Sequence, residues 1–502
     1  MKYIIAIDQG TTSSRAILFD EKCNIINIKQ MEISLSFQKS DWVEQNADEL
    51  WRSVYEVVKE IILTSNVNVE DIKAIGITNQ RETTILWNKN TGKPVHPAIV
   101  WQSRQSQSIC EDLIKKGYKE IIQEKTGLII NPYFSASKIK FIFDNNPCLL
   151  EKAKNGEILF GTVDTYLVWK LTNGKKHITD YSNASRTLLF NINKLKWDQE
   201  LLKIFNVPSI ILPVVEESSM VYGYADALTE FTNGYKIPIA SIIGDQQASL
   251  FGQCCFNLGD VKNTYGTGCF MLMNTKDNLI KSKNGLLTTI AWGLNGKIEY
   301  ALEGSVFVGG SAIQWLRDGM HLIEKSSDVE KSSDCISGSN GVYFVPAFVG
   351  LGTPYWDDDA RGSAFGITRA TKKEHFINSV VESIAYQSKD VMEVMISDSG
   401  FSINSLAVDG GASVNNYLMQ FQADILNCAI TRPKVFETTA KGAAFMAGLA
   451  VGIWKDLKEL SLLQQTDRLF MPHINENVRN RLYNGWKKAV EATRCFKVGD
   501  NE

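Results

Sequence analysis

The chain has 502 residues, of which 44% are hydrophobic and 22% are charged, and both fractions are typical of globular proteins. Its 53 basic and 56 acidic side chains give a net charge of −3, so no excess of positive charge is present to bind nucleic acid or an acidic membrane. No apolar run reaches the roughly 18 residues of a spanning helix, and the apolar start is too short for a secretory signal. Nine cysteines without a C-x-x-C pair indicate neither a disulfide scaffold nor a zinc site. We therefore expect a cytoplasmic protein of two or three domains, at about 150 residues per domain.

The first half of the chain begins with a predicted β-hairpin. Residues 2–7 and 15–19 are apolar and β-prone, and a polar turn around a glycine connects them. Further along, the apolar spacing predicts a helix over residues 47–64, then strands over 72–77 and 83–87. Mixed strands and helices of this kind indicate an α/β fold.

The second half repeats the pattern. A strand over residues 239–243 ends in a polar segment, and strands over 261–265 and 270–274 form a second hairpin around a glycine turn. A strand over 405–411 is followed by a helix over about 415–426. Two similar hairpins about 250 residues apart suggest a duplicated architecture with a cleft between the halves. The Ser-rich segment 325–340 is expected to be a solvated helix or loop within the second half.

The turn of the first hairpin has the composition of a phosphate-binding loop, although it lacks the P-loop ending. Gly10 allows a close approach of the backbone, and Arg15 supplies a charged donor for a transferring phosphoryl group. Asp8 is suited to hold Mg²⁺ through water. An ordinary polar hairpin is the alternative. Backbone N–H and hydroxyl groups that can surround phosphate oxygens come from Thr11, Thr12 and Ser13.

Arg81 and Glu82 are adjacent at a predicted strand end. At this position the Arg81 guanidinium can donate to the hydroxyl groups of a polyol, and the Glu82 carboxylate can accept from them. The alternative is a surface ion pair, worth only about 0–1 kcal/mol. Trp101 and Tyr133 are either core residues or residues that press on the carbon face of a small substrate.

Asp245 is the candidate general base, because a carboxylate at the end of a strand lies where clefts open in α/β folds and kinases use Asp for this step. Its alternative role is to cap the next helix, predicted over residues 246–252. Asp409, followed by Gly410 and Gly411, either places backbone against a purine and ribose or caps a helix after a tight turn.

Together these segments resemble the FGGY family of carbohydrate kinases, and within it the glycerol kinases more than the pentose kinases. The resemblance extends over nearly the whole chain. It implies an α/β fold with two actin-like, ribonuclease-H-like domains flanking a central cleft, which we place at residues 1–250 and 251–502. The matching segments are 8–15, 76–84, 99–102, 132–135, 160–165, 183–187, 244–247, 263–272, 300–304, 345–348, 355–357, 360–362, 409–412 and 485–489.

The resemblance also implies an activity: phosphorylation of glycerol by ATP to sn-glycerol 3-phosphate, the first step of glycerol catabolism. Asp245 would act as the base and Arg15 would stabilise the transferred group, with Mg²⁺ near Asp8 and Asp245. The expected partners are glycerol and ATP, and the expected assembly is a homodimer or homotetramer. Glycerol would be bound by Arg81, Glu82, Trp101, Tyr133, Asp245, Gln246 and Phe270. ATP would be bound by Thr11, Thr12, Ser13, Arg15, Thr267, Gly310, Gln314, Gly411 and Asn415.

Some positions depart from the family pattern. Phe141 stands where Trp is frequent, an apolar replacement. Lys441 stands where the family usually has Leu, close to the helices expected on the adenine side. The difference is expected to affect packing or nucleotide preference and not the chemistry.

Overall fold

A computed structural model describes residues 1–39, 41–335, 338–357 and 359–496. The strands are β1 (Tyr3–Gln9), β2 (Ser13–Asp20), β3 (Ile25–Glu32), β4 (Glu44–Gln45), β5 (Ile72–Asn79), β6 (Ile85–Asn88), β7 (Ala98–Ile99), β8 (Ile158–Gly161), β9 (Ile178–Asp180), β10 (Phe190–Asn191), β11 (Lys196–Trp197), β12 (Val214–Glu216), β13 (Ser219–Tyr224), β14 (Pro238–Gly244), β15 (Val261–Tyr265), β16 (Cys269–Lys276), β17 (Leu287–Leu294), β18 (Lys297–Val306), β19 (Tyr343–Val345), β20 (Ser363–Phe365), β21 (Ser405–Asp409), β22 (Ala429–Pro433) and β23 (Thr466–Phe470).

The α-helices are α1 (Ala47–Thr64), α2 (Gln107–Lys115), α3 (Lys119–Thr126), α4 (Ser135–Asn145), α5 (Pro147–Lys154), α6 (Val163–Leu171), α7 (Tyr181–Ala184), α8 (Gln199–Phe205), α9 (Asp245–Gly252), α10 (Gly310–Asp318), α11 (Asp328–Cys335), α12 (Lys373–Ser399), α13 (Asn416–Leu426), α14 (Thr438–Ala450), α15 (Leu457–Leu462) and α16 (Glu476–Cys495). Among the described residues, no helix has the length and apolar character that crossing a bilayer requires.

Two large sheets organise these elements. The first has the strand order β13-β14-β5-β1-β2-β3, and the second has the order β17-β18-β16-β15-β21-β22-β23. In the first sheet β1 pairs antiparallel with β2 and parallel with β5, which pairs parallel with β14. In the second sheet β15 pairs antiparallel with β16 and parallel with β21, which pairs parallel with β22. The two sheets therefore share one pattern, a hairpin beside two parallel strands, as the two similar hairpins in the sequence predict.

The space between the sheets is filled by α9 and α14. One buried apolar cluster there combines residues of β1 and β2, of both helices, and of β16 and β18. The two helices meet at glycines: a Cβ on Gly442 would lie 1.9 Å from the carbonyl oxygen of Ala248, and one on Gly252 would lie 2.0 Å from that of Thr438. No larger side chain fits at either contact without moving a backbone.

Most elements agree with the sequence predictions. Helix α1 begins and ends where the apolar spacing predicts, and Asn46 fixes its start by accepting from the N–H groups of Asp48 and Glu49. The strand predicted over residues 83–87 begins only at Ile85, because residues 80–84 form a buried bend after β5. Helix α11 covers part of the Ser-rich segment, of which residues 336 and 337 lie outside the described chain.

Candidate active site

Many of the predicted site residues lie at or just after the carboxyl ends of five strands, in a loop or at the start of a helix. The carboxyl ends of β1, β5 and β14 lie side by side because these strands are parallel neighbours, and the same holds for β15 and β21 in the other sheet. Ligands of open α/β sheets bind at such strand ends. The sequence segments that follow these five strands are thus brought into one region, although about 400 residues separate the first from the last.

The first phosphate-loop candidate is a tight turn between β1 and β2. The N–H of Gly10 donates to the carbonyl of Ser13 at 2.9 Å, while Thr12 is exposed and Thr11 is half-buried. Arg15, on β2, donates through Nη1 to Glu437 at 2.9 Å. The guanidinium therefore has an anionic partner within the protein itself.

Asp8 lies directly opposite Arg15 in the β1–β2 register. Burial raises the pKa of Asp8 to about 7; the Arg15 charge lowers it, and the Glu437 and Asp245 carboxylates raise it. The described residues contain no cluster of three His, Cys, Asp or Glu side chains that could hold a metal by themselves. Mg²⁺ usually takes one or two carboxylates with water and phosphate oxygens, and Asp8 and Asp245 fit that smaller requirement.

The second phosphate-loop candidate lies between β15 and β16 and is joined to the start of α10. The N–H of Gly310 donates to the carbonyl of Gly266 at 2.8 Å, and the N–H and hydroxyl of Ser311 donate to the carbonyl of Thr267 at 3.1 and 2.8 Å. Two of the predicted nucleotide residues, Thr267 and Gly310, are thereby held together.

The remaining nucleotide candidates line the same end of the second sheet. Gly411 is exposed after β21, and a Cβ on Gly310 would lie 3.8 Å from the Cβ of its neighbour Ala412. Asn415 caps α13, accepting from the N–H of Leu418 at 2.9 Å. Gln314 is exposed on α10 and forms no side-chain hydrogen bond within the described residues.

A network of buried charges connects the two sheets. Arg81 is 2% exposed and donates through Nη1 and Nη2 to the carboxylate of Glu303 at 2.6 and 3.1 Å. Its Nε lies 3.0 Å from Asp245, whose side chain is 30% exposed. Of Arg81, Glu303 and Asp245, Asp245 is therefore the most exposed, and Arg81 lies behind it.

Glu82 is the second member of the predicted polyol pair and belongs to the same network. It accepts from Nε of Arg186 at 2.6 Å, and Arg186 donates through Nη2 to Glu303 at 2.9 Å. The backbone φ of Glu82 is 60°, which is uncommon for a residue other than Gly or Asn. The surface ion pair considered for Arg81 and Glu82 is wrong: both are buried, and their atoms approach only to 3.9 Å.

The titration of these groups follows from burial and opposite charges. Burial alone would raise the pKa of Glu303, but Arg186 and Arg81 outweigh it and lower the pKa to about 2. Burial raises the pKa of Asp245, against the opposing charges of Arg81 and Lys262. It also raises the pKa of Glu82, although Arg186 and Arg81 act in the opposite direction. A carboxylate whose pKa is raised is a better proton acceptor.

Three aromatic rings form an apolar wall beside these charges. The ring of Trp101 lies edge-on to Tyr133, with centroids 5.6 Å apart, and to Phe270, with centroids 6.2 Å apart. Its Nε1 donates to the hydroxyl of Thr11 at 2.8 Å, which joins the wall to the first phosphate loop. All three rings are only partly buried, so none is a simple core residue.

Asp245 is the first residue of α9 and not its N-cap, which is Gly244. The next residue, Gln246, accepts through Oε1 from Nζ of Lys262 at 2.5 Å. Asp409 does not cap a helix either: its Oδ2 accepts from Ser249 at 2.7 Å, from Gln253 and from Thr438, and so ties β21 to α9 and α14.

Four charged residues of the site are absent from the sequence prediction: Arg186, Lys262, Glu303 and Glu437. Arg186 and Glu303 lie within segments that carry the family resemblance. A charged residue in such a segment could have been recognised as a candidate site residue. Nothing near Glu437 in the sequence indicates its pairing with Arg15. Lys441, one of the departures from the family pattern, is buried in α14, where it donates to Oε1 of Gln464.

Comparison with known proteins agrees with this architecture. Residues 3–252 match the N-terminal domain of the FGGY family of carbohydrate kinases, and residues 261–451 match its C-terminal domain. The chain is 57% identical to the glycerol kinase of Staphylococcus haemolyticus over 499 residues, which cover 99% of this chain and 100% of that protein. It is also 57% identical to the glycerol kinase of Brevibacillus brevis, over 99% of both chains.

Solved structures give the same result. The crystal structure of Plasmodium falciparum glycerol kinase with ADP superposes with a TM-score of 0.91, at 38% identity, covering 98% of both chains. The ligand-bound xylulose kinase of Lactobacillus acidophilus shares the fold, with a TM-score of 0.89 at 23% identity over 98% of both chains. The α/β fold with two actin-like sheets is thereby confirmed. The chain belongs to the FGGY family of carbohydrate kinases and, within it, to the glycerol kinases.

Proposed function

We propose that the protein transfers the γ-phosphoryl group of ATP to glycerol, giving sn-glycerol 3-phosphate and ADP. The observation that carries the proposal is the contact between Arg81 and Asp245 at 3.0 Å beside the aromatic wall. The site combines a buried guanidinium, a partly exposed carboxylate and apolar ring faces. The charged groups suit the hydroxyl groups of a small polyol, and the ring faces suit its carbon chain.

In this proposal Asp245 takes the proton of the terminal hydroxyl while that oxygen forms its bond to the γ-phosphorus. The bond from the γ-phosphorus to the bridging oxygen of ADP breaks in line with it. Arg81 keeps the Asp245 carboxylate in place, and Glu82 accepts from a second hydroxyl. Trp101 and Phe270 cover the carbon chain and exclude water, which otherwise competes as the acceptor.

The nucleotide is proposed to bind across the two phosphate loops. Backbone N–H and hydroxyl groups of Thr11, Thr12, Ser13 and Thr267 face its phosphate oxygens, and Arg15 faces the transferred group, as in other anion nests. Gly310, Gln314, Gly411 and Asn415 are proposed to line the adenosine side. Asp8 and Asp245 would hold Mg²⁺, which would neutralise negative charge on the phosphates.

The substitution Asp245→Asn tests the proposed base. It should lower kcat by roughly 10²- to 10⁴-fold, the usual contribution of a general base, and leave ATP binding almost unchanged. The assay is glycerol-dependent release of ADP, with Asp144→Asn, an exposed residue of α4, as a matched control. Turnover above a tenth of wild type in the Asn variant would exclude Asp245 as the base. A kcat/KM for xylulose or dihydroxyacetone equal to that for glycerol would exclude glycerol as the preferred substrate.

We further propose that the two domains divide between residues 250 and 251. We also propose that the protein is a cytoplasmic homodimer or homotetramer. The shared strand order of the two sheets supports a division close to the end of α9. Sedimentation of the purified protein measures the assembly.

A further inference from the structure

Lys262 lies behind the proposed glycerol site and has no role in the proposed function. Its side chain belongs to β15 and is fully buried. Nζ donates to Oε1 of Gln246 at 2.5 Å and to the hydroxyl of Thr264 at 2.8 Å. Strand β15 leads directly into the loop that contains Thr267, and Gln246 follows Asp245 in α9. One ammonium group therefore joins the helix of the proposed base to the strand of the second phosphate loop.

The contact with Lys262 determines which end of the Gln246 amide faces the lysine. An ammonium group has three donors and no acceptor, whereas a glutamine amide has an oxygen that accepts and a nitrogen that donates. The amide oxygen must therefore point to Lys262, and Nε2 must point away from it. Within the described chain, Nε2 of Gln246 forms no hydrogen bond. The site thus contains an oriented donor without a partner.

Charged groups from several elements keep Lys262 in its cationic form near neutral pH. Burial lowers the pKa of Lys262 to about 8, while Asp409 on β21, Asp245 on α9 and Glu303 on β18 raise it and Arg81 lowers it. Because this value stays above 7, most molecules carry the ammonium at pH 7. The orientation of the amide then does not depend on a minor protonation state.

We infer that Lys262 is a positioning residue that orients the amide of Gln246 so that Nε2 donates to a hydroxyl oxygen of the polyol. The inference rests on the proposed function, since it assigns Gln246 to the glycerol side of the cleft. It gives the site one fixed donor opposite the acceptors Glu82 and Asp245. A substrate that lacks the matching oxygen leaves this donor unsatisfied, which penalises its binding.

Two substitutions separate the roles of charge and orientation. Lys262→Met removes the ammonium and lets the amide turn, and Gln246→Glu keeps an acceptor for Lys262 but removes the donor. Both should raise KM for glycerol by roughly 10- to 100-fold, the range for losing a hydrogen bond to or beside a charged group. KM for ATP should stay within about twofold in each. The matched control is Thr264→Val, which removes the other acceptor of Lys262 and should leave KM for glycerol unchanged.

A double-mutant cycle shows whether Lys262 acts through Gln246. In a Gln246→Leu background, Lys262→Met should raise KM for glycerol by less than about threefold, because no amide remains to be oriented. An undiminished effect in that background, or a wild-type KM in Gln246→Glu, overturns the inference. If Lys262→Met does not fold, a wild-type KM for glycerol in Gln246→Glu still overturns the inference. A wild-type protein without glycerol-dependent ADP release would instead refute the proposed function.

Discussion

Glu303→Gln is the sharpest test of the buried charge network. Glu303 is fully buried and accepts three hydrogen bonds, two from Arg81 and one from Arg186. Glutamine keeps the volume but has one acceptor oxygen, and its NH₂ group would face a guanidinium N–H. Removing one partner of a buried ion pair costs about 3–5 kcal/mol. Because Arg81 still has Asp245 as an ion-pair partner and Arg186 still has Glu82, we expect the free energy of unfolding to fall by about 3 kcal/mol, the lower end of this range.

The same substitution should affect activity, because Arg81 positions the Asp245 carboxylate. Displacement of that carboxylate should lower kcat/KM for glycerol by up to roughly 100-fold, which corresponds to about 2.8 kcal/mol of transition-state stabilisation. Urea unfolding measures the stability, and glycerol-dependent ADP release measures the activity. The control is Asp112→Asn, which removes the exposed ion pair with Lys116 and should change neither quantity. If Glu303→Gln unfolds and turns over like the wild type, Glu303 does not hold the arginines in place.

Three further predictions concern other parts of the molecule. Burial lowers the pKa of His177 to about 4, whereas the unfolded chain has a value near 6.5. The buried neutral imidazole therefore costs no stability above pH 6.5, and it lowers the free energy of unfolding as the pH falls towards 4. Urea unfolding of the wild type and of His177→Gln at pH 7 and pH 5 isolates this contribution: between the two pH values the wild type should lose about 2 kcal/mol relative to the variant. Glu437→Gln should lower KM for ATP by up to about fivefold, because a partly exposed ion pair with Arg15 no longer competes with phosphate. Gly442→Ala should lower the thermal unfolding midpoint, because its Cβ would lie 1.9 Å from the Ala248 carbonyl and overpacking costs about 1–3 kcal/mol.

Each of these predictions can fail in a defined way. An unchanged pH dependence in His177→Gln would show that another group causes the acid sensitivity. A higher KM for ATP in Glu437→Gln would mean that Glu437 orients Arg15 for the nucleotide and does not compete with it. A wild-type midpoint for Gly442→Ala would show that α9 and α14 separate easily.

The sequence was sufficient to predict the elements whose signals are local. The hairpin around Gly10 and helix α1 depend on spacing, turn residues and a cap within a few positions of each other, and all of these are visible in the sequence. The positions of Arg81 and Asp245 were also predictable as strand ends. Their proximity follows because β5 and β14 are parallel neighbours.

The charge network could not be predicted, because it joins residues that only the packing of two sheets brings together. Arg81 and Glu303 are 222 positions apart, and no periodicity relates them. The sequence suggested that Arg81 pairs with Glu82, its neighbour. In the fold each takes a closer partner: Arg81 donates to Glu303 at 2.6 Å and Glu82 accepts from Arg186 at 2.6 Å, whereas the two neighbours approach only to 3.9 Å.

The position of α14 has a consequence for how the chain folds during its synthesis. Residues of β1 and β2 share one buried cluster with α14, whose sequence follows about 420 residues later. Until the ribosome has made those residues, one face of the first sheet lacks its cover. After α9 is complete, about 200 more residues are needed, which takes roughly 10–40 s at 5–20 residues per second. Nascent chains of this length expose an apolar sheet face, and chaperones that bind such faces are expected to act during that interval.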